Sequence, residues 1–131
     1  MKCAVWGSPI AHSLSPVLHR AAYAALGLDD WTYEAREVDE AGFDDALAGL
    51  DDQWRGLSLT MPLKEVALRA AMRVTATAAD TGAVNTLVRG SDGWTAHNTD
   101  VNGIALALLD AGCQETTDAV IIGSGATARC R

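Results

Sequence analysis

Strand-like and helix-like segments alternate along this sequence, and their order leaves few folds open to the chain. Residues 2–6 form a short apolar run typical of a strand. Residues 15–27 then predict a helix that Ser15 caps, that starts at Pro16 and that ends at Gly27. Its predicted apolar face consists of Val17, Leu18, Ala21, Ala22, Ala25 and Leu26. Repetition of this order predicts an α/β fold, a three-layer sandwich in which helices flank a mostly parallel sheet.

The same patterns extend along the rest of the chain. They predict strands at residues 31–38 and 56–60, helices at 43–50, 61–72 and 101–112, a short helix within 73–82, and a hairpin over 83–99 around the turn "GSDG". Asp39 and Asp100 are the expected N-caps of the helices that follow them, and Pro62 is expected near the start of the helix over 61–72.

A domain boundary is predicted near residue 117. The polar stretch "GCQETTD" separates the last helix from an apolar strand at 118–122 and a glycine-rich turn. We therefore expect one domain at residues 1–117 and, at 118–131, the start of a truncated Rossmann domain. A strand that lacks its neighbours would be exposed or would pair with another chain, which makes a homodimer an expectation.

Composition excludes several classes of function. The formal net charge is −7 and no block of basic residues is present, which argues against nucleic acid as a partner. No run of about 18 apolar residues exists to span a membrane and no signal-peptide core follows the N-terminus, so we expect a cytoplasmic protein. Neither the cysteines, Cys3, Cys113 and Cys130, nor the three histidines have metal-ligand spacing, which favours free thiols and no metal site.

Polar side chains follow the predicted strands at the points where a ligand would bind. The stretch "GSPIAHSLSP" after the first strand carries several hydrogen-bond donors. Further polar side chains lie directly before or after the later predicted strands. Strand ends share one rim of a parallel sheet, so these side chains are expected to converge on one small molecule. They are Ser13, Ser15, Thr60, Lys64, Asn85 and Asp100. Taken singly, each has an ordinary alternative, such as an exposed lysine compensated by Glu65 or an N-cap aspartate.

Lys64 is unusual in its context. The chain has only two lysines, Lys2 and Lys64, against eight arginines. The pattern places Lys64 in the first turn of a helix, where the positive end of the macrodipole disfavours a cation by roughly 0.3 to 1 kcal/mol. That position would help the ammonium to release its proton.

The glycine-rich segment "GSGAT" comprises Gly123, Ser124, Gly125, Ala126 and Thr127. It follows an apolar run, as a dinucleotide-binding turn does, with Ala128 at the place of the third glycine. A cofactor-binding turn and an ordinary strand-to-helix turn both remain open on this pattern alone.

Four motifs in order resemble the shikimate dehydrogenase family: "GSPIAHSLSP", "LTMPLKE", "GAVNTLV" and "NTDVNGI". The final "IIGSGATAR" resembles the start of that family's NADP domain. The resemblance implies NADPH-dependent reduction of 3-dehydroshikimate to shikimate. It also implies that Ser13 and Ser15 bind the substrate carboxylate, that Thr60 and Asn85 hold its other oxygens, and that Lys64 and Asp100 are the catalytic pair. NADP would contact residues 123–127.

The sequence departs from the family pattern in several places. Ser58 stands where the family commonly has asparagine, and Ala126 and Thr127 stand where Gly-Ala is usual. The family's later NADP-clamping basic residues, a substrate-binding glutamine and a C-terminal helix are not in this sequence, so we expect no turnover from the chain alone. Two alternatives stay open: a quinate/shikimate dehydrogenase, and a non-catalytic shikimate-binding module.

Overall fold

A computed structural model describes residues 1–113 and 118–130. Six strands and four α-helices lie in the described residues, together with 3₁₀ helices at Val66–Ala70 and Ala126–Arg129. The strands are β1 (Lys2–Gly7), β2 (Thr32–Glu37), β3 (Trp54–Leu59), β4 (Arg73–Val74), β5 (Thr86–Gly90) and β6 (Gly93–His97). The helices are α1 (Ser15–Ala25), α2 (Phe43–Ala48), α3 (Ala76–Thr81) and α4 (Asp100–Asp110).

The strands form one mixed sheet in the order β2-β1-β3-β5-β6-β4. β1 pairs in parallel with β2 and β3, and β4 with β6, whereas β5 is antiparallel to both of its neighbours. The predicted α/β class is confirmed, and so is the hairpin, because Gly90 pairs with Gly93 across its turn. Since β5 alone runs backwards, the start of β5 and the ends of β1, β3 and β6 lie at one edge of the sheet.

Apolar side chains cover both faces of the sheet. Side chains alternate between the faces along a strand, so Ala4 and Trp6 of β1 join one cluster and Cys3 and Val5 join another. The first cluster is the larger, and its most fully buried members include Trp6, Phe43, Leu57, Leu63 and Leu87. The described residues contain no helix that is both long enough and apolar enough to cross a bilayer.

Helix α1 packs on the sheet through a different face from the one predicted. Ser15, His19 and Tyr23, four residues apart, are the side chains turned inward, and His19 stacks on the Tyr33 ring with centroids 3.9 Å apart. The predicted apolar face was wrong, since Val17, Leu18, Ala21, Ala22, Ala25 and Leu26 are exposed. Contact between large aromatic rings explains why this face of α1 packs on the sheet, because the rings bury more surface than the alanines on the opposite face.

The predicted helix over residues 61–72 was also wrong in extent. Only Val66–Ala70 is helical, and it is a 3₁₀ helix. The backbone N–H of Met72 donates to the carbonyl of Trp94 at 2.9 Å, so the chain is already extended at the point where it enters β4 beside β6. Strand pairing therefore ends this helix, and the two-residue β4 was not predicted.

Residues 118–124 do not form the predicted strand and have no regular secondary structure. Val120 and Ile122 are 92% and 97% exposed. A lone strand has no neighbour to satisfy its backbone hydrogen bonds, which explains why the apolar sequence alone does not produce one here. The predicted boundary near residue 117 lies outside the described residues.

Candidate active site

The structure brings the six predicted binding side chains to one cavity of about 480 Å³ at the shared edge of the sheet. They reach it from one edge of the sheet, in the segments that follow β1, β3 and β6 and just before β5, with Ser15 and Asp100 as the first residues of α1 and α4. The cavity lining contains Ser13, Ser15, Thr60, Lys64, Asn85 and Asp100. Because these residues are up to 87 positions apart in the chain, the sheet topology is what brings them together.

Lys64 and Asp100 form an ion pair inside this cavity. The Lys64 Nζ lies 2.6 Å from the Asp100 Oδ2, and the two side chains are only 17% and 27% exposed. The lysine backbone is held in place, because its carbonyl accepts a hydrogen bond from Val84 N–H at 2.7 Å. Lys64 lies in a turn before the 3₁₀ helix rather than in the first turn of an α-helix, so the expected effect of a helix dipole on its proton does not apply.

Asn85 fixes the other side of the aspartate. Its Nδ2 donates to Asp100 Oδ1 at 2.7 Å and to Thr99 Oγ1 at 2.8 Å, while its Oδ1 accepts from Thr99 N–H at 3.1 Å. Each carboxylate oxygen of Asp100 therefore has its own partner. The predicted N-cap role of Asp100 was wrong: Thr99 is the cap residue and Asp100 is the first residue of α4, with its carboxylate turned to Lys64 and Asn85.

The two serines of "GSPIAHSLSP" lie where α1 begins. Ser13 Oγ accepts a hydrogen bond from Ser15 N–H at 3.3 Å, and Leu14 rather than Ser15 is the cap residue of the helix. Both hydroxyls line the cavity beside the first turn of an 11-residue helix. Hydroxyl donors beside the positive end of a helix dipole favour a negatively charged ligand.

A tight backbone approach positions Thr60. An ideal Cβ at Gly7 would lie 2.5 Å from Thr60 Cγ2 and 2.9 Å from the carbonyl oxygen of Met61. We expect Gly7→Ala to lower the free energy of unfolding by about 1–3 kcal/mol, because the loop that carries Thr60 has to move. Urea unfolding measures this, with Gly103→Ala as the control, since no atom lies within 4 Å of a Cβ there. A Gly7→Ala variant as stable as the native chain would contradict the expectation.

Several cavity residues were not predicted. Ser58, Thr86 and Thr99 also line it, and so do His12 and His19. Thr99 was recognisable from its position directly before Asp100. Ser58 is notable in the sequence only for standing where the family commonly has asparagine, because a single serine in a strand is otherwise common.

The glycine-rich segment lies beside the same site. Gly123, Gly125, Ala126 and Thr127 line a neighbouring cavity of about 550 Å³ to which Thr60 and Lys64 also contribute. Ser124 faces a different cavity of about 760 Å³, lined also by Thr81 and Arg129. Arg129 holds the segment in place, because its Nη2 lies 2.6 Å from Glu65 Oε1 and its Nε donates to the Thr81 carbonyl at 2.9 Å.

The fold and the cavity together define an α/β domain for a small polar ligand. Comparison with known proteins identifies it further: the sequence profile described as "Shikimate dehydrogenase substrate binding domain" matches residues 5–87. The chain belongs to the shikimate dehydrogenase family, as the four motifs predict.

Similar proteins agree with this assignment. The chain is 42% identical over 127 residues to the NADP(+) shikimate dehydrogenase of Synechocystis, a match that covers 95% of this chain and 43% of the relative. The shikimate dehydrogenase of Mycobacterium tuberculosis is 54% identical, with a TM-score of 0.80 over 82% of this chain and 41% of that one. A Thermus thermophilus shikimate 5-dehydrogenase in complex with NADP(H) and shikimate is 36% identical, with a TM-score of 0.92 over 99% of this chain and 49% of that one. The chain thus spans about half or less of the length of these relatives.

Proposed function

We propose that this chain is the substrate-binding domain of an NADP-dependent shikimate dehydrogenase that reduces 3-dehydroshikimate to shikimate. The observation that carries the proposal is the Lys64–Asp100 ion pair, 2.6 Å long and partly buried, in a cavity lined by hydroxyl and amide donors. The Thermus thermophilus relative, in complex with both NADP(H) and shikimate, supports it.

Binding uses the two ends of the cavity differently. The substrate is an acid, and a chain with a net charge of −7 repels anions. The carboxylate of the substrate therefore needs hydrogen-bond donors close to it. Ser13 and Ser15 supply two hydroxyls at the start of α1, and hydrogen bonds to a charged acceptor are the stronger kind. Thr60 and Asn85 hold oxygens of the substrate ring. With the carboxylate at the serines, the carbonyl of the ring then faces Lys64.

The proton step belongs to Lys64. As the ring carbonyl is reduced, negative charge develops on its oxygen, and the Lys64 ammonium stabilises that charge and transfers a proton to it. Asp100 only accepts hydrogen bonds when ionised, so it orients the ammonium through one oxygen and can accept from a substrate hydroxyl. Reversal of these steps oxidises shikimate.

The cofactor supplies the hydride when it is bound. The residues beside Lys64 fit a dinucleotide, because nothing lies within 4 Å of where a Cβ of Gly123 or Gly125 would be, so the backbone is open to close approach. We propose that residues 118–131 belong to the cofactor-binding part, with Gly123, Ser124, Gly125, Ala126 and Thr127 contacting NADP, and that residues 1–117 form the substrate domain. The chain alone is proposed to bind substrate without turnover.

Shikimate binding tests the proposal. We expect the chain to bind shikimate. Asp100→Asn should raise the dissociation constant by about 10- to 100-fold, because the substitution removes a charged acceptor and leaves Lys64 unpaired. Asp51→Asn is the matched control, since Asp51 forms an exposed ion pair with Lys2 at 3.2 Å. NMR titration measures both. An Asp100→Asn variant that binds as tightly as the native chain would contradict the assigned site.

Location and assembly are further parts of this proposal. The described cysteines are free, with Cys3 and Cys130 buried and Cys113 exposed, which suits a reducing cytoplasm. Self-association as a homodimer is supported by the exposed apolar side chains of α1, and light scattering measures it.

A further inference from the structure

We infer that Asn98 is a positioning residue for Asp100, and that Cys130, which follows the glycine-rich segment, covers the Asn98 amide and so helps to hold the aspartate. Asn98 is not part of the described lining of the 480 Å³ cavity, and it is only 5% exposed. Its importance for the reaction rests on the proposed function of the Lys64–Asp100 pair, whereas its contacts do not depend on that function.

Asn98 holds the backbone of Asp100 directly. It lies between β6 and α4, and its Oδ1 accepts a hydrogen bond from Asp100 N–H at 2.9 Å. The first N–H groups of a helix have no partner within the helix, so a side chain two residues earlier can take up this one. The bond fixes the backbone from which the Asp100 carboxylate reaches Lys64 Nζ at 2.6 Å.

The surroundings of the Asn98 amide fix its orientation. Its Nδ2 donates to Thr81 Oγ1 and to the Ala83 carbonyl, both at 3.0 Å. The Thr81 hydroxyl gives its own proton to the Thr77 carbonyl at 2.9 Å, so it accepts from Asn98. Turning the amide by 180° would place its oxygen against the Ala83 carbonyl and its NH₂ against the Asp100 N–H. The network therefore keeps Oδ1 on the aspartate.

Cys130 covers this polar network. Its Sγ lies 3.6 Å from Asn98 Nδ2, and the residue is 3% exposed. The preceding Arg129 anchors the same stretch of chain, because its Nε donates to the Thr81 carbonyl at 2.9 Å. A hydrogen bond shielded from water is electrostatically stronger than an exposed one. The chain that follows the glycine-rich segment thus contributes, through Asn98, to holding Asp100.

Amide hydrogen exchange of the native chain tests the bond between Asn98 and Asp100. We expect the Asp100 N–H to exchange at least about tenfold more slowly than in an unstructured peptide of the same sequence, because its acceptor is buried. NMR measures this rate without any ligand. Exchange at the peptide rate in the folded chain would overturn the inference, even if substitutions at Asn98 prevent folding.

Two substitutions at Asn98 separate positioning from packing. Asn98→Ala and Asn98→Ser both lose the bonds to Thr81 and Ala83, but a serine hydroxyl can still accept from the N–H two residues later. The two variants therefore differ mainly in whether Asp100 is held.

The Lys64 ammonium reports the effect on the ion pair. Selective ¹⁵N labelling of lysine gives side-chain signals from only two residues, Lys2 and Lys64. Asn98→Ala should speed proton exchange between the Lys64 ammonium and water by about tenfold, because Asp100 no longer holds it, whereas Asn98→Ser should stay near the native rate. Lys2 is the internal control, since its pair with Asp51 is exposed.

A double-mutant cycle tests the contribution of Cys130. Cys130→Ala should speed exchange of the Lys64 ammonium by about threefold in the native background and have no further effect in Asn98→Ala, because the thiol acts through that amide. Cys113→Ala is the matched control, since Cys113 is exposed.

Shikimate affinity separates this inference from the proposed function. Asn98→Ala should weaken shikimate binding by about tenfold, and Asn98→Ser should bind almost as the native chain does. If the native chain does not bind shikimate, the proposed function is overturned, whereas the exchange rates still decide the inference. Equal effects of Asn98→Ala and Asn98→Ser on the Lys64 ammonium, or no effect of either, would overturn the positioning role of Asn98. A Cys130→Ala effect that is absent, or that persists in Asn98→Ala, would overturn the part assigned to Cys130.

Discussion

Replacing Lys64 by alanine is expected to lower kcat by about 10²- to 10⁴-fold, with a much smaller change in KM, in the enzyme that joins this domain to its cofactor-binding part. The reason is that the ammonium is needed mainly when charge develops on the carbonyl oxygen, whereas the serines, Thr60 and Asn85 hold the ground state. Steady-state kinetics of shikimate oxidation with NADP measures both constants.

The chain contains its own control for this experiment. Lys2 is the only other lysine, and it also pairs with an aspartate, Asp51, but at an exposed position outside the cavity lining. Lys2→Ala removes the same charge and should leave kcat unchanged. An unaltered kcat in Lys64→Ala would remove this lysine from the mechanism, whereas equal losses in both variants would indicate an effect of net charge.

Replacing Leu63 by alanine is expected to lower the free energy of unfolding by about 2–5 kcal/mol, the range typical of a leucine truncated in a well-packed core. Leu63 is fully buried and packs in the larger apolar cluster, directly before Lys64. Its N–H donates to the Thr60 carbonyl at 2.8 Å, so it fixes the turn between two of the proposed binding residues. A weaker affinity for shikimate should accompany the loss of stability.

Leu26→Ala is the matched control, because Leu26 is 71% exposed at the end of α1. Chemical denaturation of the two variants compares the same substitution in the core and on the surface. Similar losses in both would show that the turn at Leu63 does not depend on the core beneath it.

The convergence of the site residues was predictable because strand order along the chain dictates which loops share an edge. Thr60 follows β3 and Asp100 follows β6, and both reach the same cavity once β5 runs antiparallel between those strands. The hairpin was equally readable from its turn residues. Local pattern suffices for features of this kind, since they depend on neighbouring residues and on general sheet geometry.

Other features depend on contacts that a local pattern does not contain. The apolar side of α1, with Val17 and Leu18, gave the clearer signal, yet the helix packs through His19 and Tyr23 because their partner Tyr33 comes from β2. The helix after Pro62 is cut short because Met72 N–H bonds to the Trp94 carbonyl where the chain enters β4. The helix propensity of that segment does not predict this contact.

The carboxylate of Asp100 shows the same limit at the site itself. An aspartate before an apolar helical run is a normal N-cap. Here a lysine 36 residues away and an asparagine 15 residues away take up its two oxygens instead.

We propose that shikimate binds in the cavity between the serines and the Lys64–Asp100 pair, and a crystal structure of the chain with shikimate would show its position. We expect the carboxylate at Ser13 and Ser15 and a ring oxygen in hydrogen-bond contact with Lys64 Nζ. Shikimate bound instead in the larger cavity beside Thr81 and Arg129, with the Lys64–Asp100 pair untouched, would contradict it.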